Sequence, residues 1–295
     1  MIVAVSRTWS KLAVMLELIK FEHTIFALPF ALTSAILAAN GLPEIRILAW
    51  ILVAMVGARS AAMAFNRIAD IRYDRLNART ASRALPAGIL SVAEVTFFTV
   101  VSTGVFVLAA AMLNRMTFIL SPVALLVIFG YSYTKRFTTL SHLVLGLALG
   151  IAPIGAWIAV TGRIEIYPMI LSAAVMFWTA GFDIIYALQD LEFDARLGLF
   201  SIPNALGPGR GLLVSRAFHA IAVILLTAFG ISLGLGLAYY IGTGLVAVLL
   251  IYEQRLVKAD DLSKVNVAFF NTNGFVSIGF FFFVLIDLIV RKFLT

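Results

Sequence analysis

Long apolar stretches recur along this chain near residues 24–40, 47–65, 93–113, 116–132, 140–160, 166–183, 212–230, 233–251 and 268–290, separated by shorter polar segments. Each is close to the roughly 20 residues that a helix needs to cross a bilayer. The pattern therefore predicts about nine transmembrane helices and an all-α, polytopic membrane bundle. The connections are unequal: 66–92 and 184–211 are long and hold most of the polar residues, while the odd-numbered connections are only a few residues. In the segment 1–20, Trp9, Leu12, Leu16 and Ile19 share one helical face, with Arg7, Lys11, Glu17 and Lys20 scattered among apolar positions. This reads as an interfacial helix feeding the first span, with a frayed tail as the competing reading. A secretory signal does not fit, for want of an uninterrupted apolar centre and a small-residue cleavage site. No soluble domain, low-complexity tract or strict repeat is visible, so residues 1–295 are expected to form one membrane domain.

Composition agrees and narrows the function classes. Of 295 residues 62% are hydrophobic and 13% charged, whereas soluble domains are roughly half apolar and about a quarter charged; a soluble enzyme is excluded. The formal charge is +7, which in a membrane protein reports cytoplasmic loops rather than a nucleic-acid partner. With the N-terminus cytoplasmic, thirteen basic residues fall on that side, from Arg67 to Lys264, against Arg46, Arg115 and Arg163 on the other. Arg291 and Lys292 disagree mildly, as membrane-edge anchors. The long loops, and with them the working surface, are thus expected to face the cytoplasm from an inner membrane. The absence of cysteine removes disulfides, thiolate metal sites and Cys nucleophiles.

Six of the 15 acidic residues lie in two short stretches, NRIADIRYD at 66–74 and DIIYALQDLEFD at 183–194. Asn66, Asp70 and Asp74 are spaced i, i+4, i+8 and line one helical stripe. Asp190 and Asp194 repeat the i, i+4 relation, with Asp183 two turns and Tyr186 one turn further in. Carboxylates near membrane depth are costly unless paired, hydrated or bound to a cation. Two such stripes facing each other would hold Mg²⁺, which prefers oxygen ligands and is usually shared between one or two carboxylates and substrate phosphates. Simple pairing with neighbouring arginines is the bland alternative for either cluster alone.

Cations adjoin the acids: Arg79 and Arg83 in RTASRALPAG, Lys135 and Arg136 in YSYTKRF. They suit a diphosphate, Arg as a bidentate fork and Lys as a point charge; positive-inside topology alone explains their side but not their clustering. Asn66 and Gln189 either ligate metal or phosphate or satisfy backbone groups. Arg59, inside an apolar run, needs a counter-charge, supplied by a diphosphate, an acceptor carboxylate or Glu22. His23, His142 and His219 are isolated, which speaks against zinc and haem; His23 is a candidate substrate contact, and Tyr131, Tyr133 and Tyr186 are candidates for a cavity wall.

Together these motifs resemble the UbiA-type membrane prenyltransferases along nearly the whole chain. NRIADIRYD matches the family's first motif through Asn66, Asp70 and Asp74, and DIIYALQDLEFD its second through Asp183, Tyr186, Asp190 and Asp194; Arg79, Arg83, Lys135 and Arg136 match its basic segments. Many relatives carry Asp directly after the Asn, where Arg67 stands here, so Arg67 inherits no role. The resemblance implies a bundle with a central cavity capped by the loops after helices 2 and 6. It also implies Mg²⁺-dependent transfer of a polyprenyl chain from its diphosphate to an aromatic acceptor. FEHTIFALPFA and GLFSIP look most like the 4-hydroxybenzoate polyprenyltransferase branch of quinone biosynthesis. Expected roles are therefore metal binding for Asn66, Asp70, Asp74, Asp190 and Asp194, catalysis for these acids with Asp183 and Tyr186, and diphosphate binding for the four cations. Arg59, His23 and Tyr131 are left as candidate acceptor contacts. A naphthoate acceptor on the futalosine route to menaquinone is the alternative within the family, and a secondary transporter the alternative from another class.

Overall fold

A computed structural model describes residues 14–15, 17–18 and 24–294. His23, Glu22 and most of the interfacial helix expected over 1–20 lie outside these residues. Val14, Met15, Glu17 and Leu18 are helical, and Leu18 is buried against Leu85 and Leu90. The described chain is nearly all helix. In order it forms α1 (Thr24–Ala38), α2 (Ile45–Leu76), α3 (Val92–Leu113), α4 (Arg115–Thr134), α5 (Ser141–Thr161), α6 (Ile166–Ala187), two short helices α7 (Leu191–Leu197) and α8 (Ile202–Leu206), then α9 (Pro208–Ser232), α10 (Leu237–Leu256) and α11 (Asn273–Leu294). Among the described residues, eight helices are long and apolar enough to cross a membrane, and a shorter apolar helix spans Phe26–Ala38.

Successive helices pack side by side, and α11 returns to α1, which itself lies on α5. The helices thereby surround an interior rather than fill it. Their outer faces are apolar and bare, with Phe97, Leu126 and Leu237 among the exposed side chains, as a lipid-facing surface requires. α5 and α6 approach closely. A Cβ added to Gly146 would lie 2.2 Å from the Met176 carbonyl oxygen, and one on Gly150 2.8 Å from that of Ser172. Small residues four apart let two helix backbones touch, and here they hold the first half of α5 against the middle of α6.

The helices overrun several of the windows that hydropathy marks. α2 continues from 65 to Leu76 because the acids occupy only one stripe, while Ile68 and Ile71 on another face pack with Leu85, Leu90 and Val95. The first cap is thus the segment 77–91, closed by the Thr80 hydroxyl donating to the Asp74 carbonyl at 3.0 Å and by a Ser91–Glu94 capping box that opens α3. The second cap, 188–207, contains a 3-10 turn and the two short helices α7 and α8. α10 begins at Leu237 rather than 233, where the Asp287 carboxylate of α11 accepts from the Gly236 and Tyr239 amides at 3.0 and 3.3 Å. Before α11 the chain makes a π-helical turn, Val267–Thr272. Its loosened carbonyls of Ala268 and Phe269 accept from the Asn273 amide, which also donates to Glu253 and accepts from the Trp178 indole at 2.8 Å.

Candidate active site

The C-terminal ends of α2, α4 and α6 converge with the start of α5 at one end of the bundle. Helix C-termini carry partial negative charge, so an anion is welcome there only if cations outweigh it. The polar cavity they enclose, about 220 Å³, is lined by five carboxylates (Asp70, Asp74, Asp183, Asp190, Asp194) and five cations (Arg67, Arg79, Arg83, Lys135, Arg136).

Most of these charges are paired across elements. Arg79, from the first cap, donates through Nε to Asp190 Oδ1 at 3.1 Å and through Nη1 to the Tyr186 hydroxyl at 3.0 Å. Asn77 donates to the same Asp190 oxygen at 3.0 Å. Arg83 grips Asp74 through Nη1 at 2.8 and 3.0 Å. Arg136 reaches Asp70 at 3.4 Å and the Ala69 carbonyl at 2.6 Å, its guanidinium lying over the rings of Tyr133 and Tyr73. Asn66 donates to Asp70 at 3.0 Å. Burial opposes the charge on Arg79, but the hydrogen bond and charge of Asp190, with Tyr186, hold its guanidinium above the ordinary arginine range. Burial likewise opposes the Lys135 ammonium, yet Asp194, Asp183, Asp190 and Asp70 together push it above the ordinary lysine value.

Behind this mouth lies a larger, mainly apolar chamber of about 530 Å³. Arg67, Arg83, Tyr131, Leu145, Asp183 and Tyr186 line both spaces and form the neck between them. Arg59 sits on the chamber wall, its Nε buried without a hydrogen-bond partner. From the π-helical turn, Phe269 reaches the chamber and packs its ring 4.3 Å from that of Tyr186.

A family model described as UbiA prenyltransferase family matches residues 27–283. The chain belongs to this family. Among curated relatives, 4-hydroxybenzoate octaprenyltransferase of Francisella tularensis is 30% identical over 263 residues, covering 89% of this chain and 90% of that protein. The apo structure of a UbiA homolog from Aeropyrum pernix K1 superposes with a TM-score of 0.83 at 37% identity, covering 90% of this chain and 98% of that one. A UbiA homolog from Archaeoglobus fulgidus, solved bound to DMAPP and Mg²⁺, shares the fold at a TM-score of 0.75 and 20% identity, over 94% of this chain and 99% of that one. The protein is thus an integral, multi-pass membrane prenyltransferase, and the transporter alternative falls.

Every candidate site residue of the UbiA motifs lines the polar mouth: Asn66, Asp70, Asp74, Asp183, Tyr186, Asp190 and Asp194, with Arg79, Arg83, Lys135 and Arg136. Arg59 and Tyr131 reach the chamber; His23 and Glu22 lie outside the described residues. Tyr133 is the exception among the tyrosines: it is exposed and bounds neither cavity, supporting Arg136 from outside. Gln189 turns away to donate to the Tyr186 carbonyl at 3.3 Å. His219 proves structural, buried against Gly181 and within 3.0 Å of Gln254.

His142 is the functional candidate that the sequence reading passed over. Fully buried, it places Nδ1 2.7 Å from Asp183 Oδ2, while Nε2 accepts from the Ile202 amide at 3.3 Å. That amide can only donate, so Nε2 carries no proton and Nδ1–H points at the carboxylate. One imidazole thereby ties Asp183 to the second cap. Asn77 was missed too, though an Asn three residues beyond Asp74 is a visible polar continuation of the motif; His142 and Phe269 carry no such local signal.

The residues present fit Mg²⁺. Among the described residues no three acidic or imidazole groups lie together as a closed metal site, but this ion commonly takes one or two carboxylates and completes its shell with water and phosphate. Asp194 is 2% exposed and its Oδ2 is buried without a hydrogen-bond partner, one turn from Asp190. Asp190 and Asp194 both border the mouth and supply hard oxygens of the kind that the ion prefers.

Proposed function

We propose that the protein transfers a polyprenyl group from polyprenyl diphosphate to a ring carbon of 4-hydroxybenzoate, ortho to its hydroxyl. The observation that carries this reading is the neck: a charged mouth sized for a diphosphate opens directly onto an apolar chamber whose wall holds an arginine, Arg59, without a partner among the described residues. The diphosphate lies in the mouth against Arg79, Arg83, Lys135 and Arg136. Its prenyl chain enters the chamber between helices that face lipid. The acceptor carboxylate pairs with Arg59, and Tyr131 completes its pocket. The name of the Francisella tularensis relative supports the benzoate acceptor.

Asp70, Asp74, Asp190 and Asp194, with Asn66, would hold Mg²⁺, which supplies added charge neutralisation for the leaving diphosphate. The chain's own residues do the rest. Ionised side chains preorganised at the mouth stabilise the electron pair that leaves with the diphosphate as the C1–O bond breaks. The chamber excludes water from the allylic cation, and the faces of Tyr186 and Phe269 stabilise it. The ring carbon bonds to C1, and the proton it loses passes to Asp183, a carboxylate oriented by His142. Placement of the mouth at the cytoplasmic face of an inner membrane follows from the positive-inside bias.

The test is direct: purified protein in lipid nanodiscs is given labelled polyprenyl diphosphate, Mg²⁺ and, separately, 4-hydroxybenzoate, a dihydroxynaphthoate and unsubstituted benzoate. Fragmentation mass spectrometry of the product is expected to place the prenyl group on C3 of the 4-hydroxybenzoate ring. Transfer only to the naphthoate would replace the acceptor, and no transfer to any aromatic acid would overturn the reading.

A further inference from the structure

Three cations of the mouth are held by carboxylates: Arg79 by Asp190, Arg83 by Asp74 and Arg136 by Asp70. Arg67 is not. It is 7% exposed and lines both the mouth and the chamber. Among the described residues no hydrogen bond or ion pair to its side chain is formed. A guanidinium cannot shed its proton at ordinary pH, and burying one without a partner is strongly unfavourable. The two acids of its own helix that act on it electrostatically, Asp74 and Asp70, are committed, the first to Arg83 and the second to Arg136 and Asn66. Arg67 faces both cavities, and a counter-charge can reach it through either.

We propose that Arg67 binds the phosphate nearer the prenyl chain and lets the mouth hold a diphosphate without a metal ion. The inference rests on the reading of the mouth as the diphosphate site. Position favours the diphosphate over the acceptor: Arg67 stands at the neck, where a molecule with its charge in the mouth and its chain in the chamber places their junction. The chamber already has Arg59 for an acceptor carboxylate. Charge balance points the same way. Five carboxylates face five cations on the mouth, so the lining is neutral only because Arg67 is there. A carboxylate in its place would make the lining more negative by two charges, the charge of one divalent ion, and diphosphate would then need that ion to enter.

The experiment is calorimetric titration of the full-length protein in detergent with inorganic pyrophosphate, in EDTA and again with Mg²⁺, for the wild type, Arg67→Gln, Arg67→Lys and Arg67→Asp. In EDTA the wild type is expected to bind, Arg67→Gln to bind about ten- to a hundredfold more weakly, and Arg67→Lys to fall between, since it keeps the charge but not the fork. Arg67→Asp is expected to bind only with Mg²⁺, at a raised Mg²⁺ midpoint. Thermal melts check that each variant is folded, and Arg67→Lys carries the test if the others are not. Equal pyrophosphate affinity in EDTA for wild type and a folded variant overturns the proposal, as does a loss confined to aromatic-acid binding. Failure of the wild type to bind pyrophosphate even with Mg²⁺ would instead overturn the diphosphate reading of the mouth.

Discussion

Replacing His142 with leucine separates a site built by tertiary contacts from one written into the acidic motifs. The substitution removes the Nδ1–H bond to Asp183, 2.7 Å long, and the Nε2 acceptor of the Ile202 amide, 3.3 Å away. A hydrogen bond to a charged group contributes about 1.5–3 kcal/mol. If the carboxylate needs that bond to keep its catalytic orientation, kcat should drop about ten- to a hundredfold. Leaving the buried amide without a partner costs a further 1–3 kcal/mol or so of stability, which appears in the melting temperature and not in the chemistry. His142→Asn divides the two effects, because its amide can donate to Asp183 from near the Nδ1 position but cannot reach the Ile202 amide. The expectation is a kcat within a few-fold of wild type for the asparagine variant, and a lowered melting temperature for both. Initial rates at saturating prenyl diphosphate and acceptor, with melts in the same detergent, provide the data. A double-mutant cycle with Asp183→Asn adds a control: His142→Leu should cost nothing more once the carboxylate is gone. A leucine variant with wild-type kcat, or one whose whole defect lies in the KM for prenyl diphosphate, would refute the orienting role.

Asp70→Ala and Asp190→Ala are each expected to abolish prenyl transfer while the protein still inserts and purifies normally; appreciable product from either variant would remove that residue from the machinery. Chelation with EDTA should stop turnover and added Mg²⁺ restore it, so undiminished product formation in EDTA would rule out the metal requirement. Gly146→Ala introduces a Cβ that would lie 2.2 Å from the Met176 carbonyl oxygen; α5 and α6 must then part by about an ångström, at about 1–3 kcal/mol. Its melting temperature should fall along with kcat, because the helices that part carry His142 and Asp183; an unchanged melt would contradict the close packing. Lys135 has its folded pKa raised above 10.5 by the surrounding acids, so its contribution is complete below that value and is lost only as the pH climbs past the folded pKa. The ratio of pyrophosphate affinities between wild type and Lys135→Gln should therefore stay constant between about pH 7 and 9, and a ratio that collapses within that window would show a lysine depressed below its ordinary value.

The acidic stripes were legible because a helix repeats its faces every three to four residues, so Asn66, Asp70 and Asp74 declare their common direction without any knowledge of neighbours. The basic residues beside them were legible for a related reason: charge is too expensive at membrane depth to be scattered idly. Hydropathy windows read helix ends less well. Ile68 and Ile71 carry α2 eleven residues past its apolar run, from 65 to Leu76, and the buried Glu253 and Gln254 extend α10, because a window averages over faces and cannot credit a polar residue with a partner on another helix. Tyr133 shows the opposite error, proximity in sequence to Lys135 and Arg136 without a place on the cavity.

By itself the sequence determined the class of molecule, the helix count and the two acidic motifs, since hydrophobic length and helical period are local properties of the chain. Only the tertiary structure decided which charge meets which. Arg79 reaches Asp190 across 111 positions and Asn77 reaches it across 113, His142 meets Asp183, and Phe269 arrives at Tyr186 from a π-helical turn. The close approach of α5 and α6 at Gly146 fixes part of that meeting. The state of Arg67, without a partner among the described residues, belongs to the same category: a lone guanidinium is recognisable only when the acids of its own helix, Asp70 and Asp74, have been seen to be occupied elsewhere.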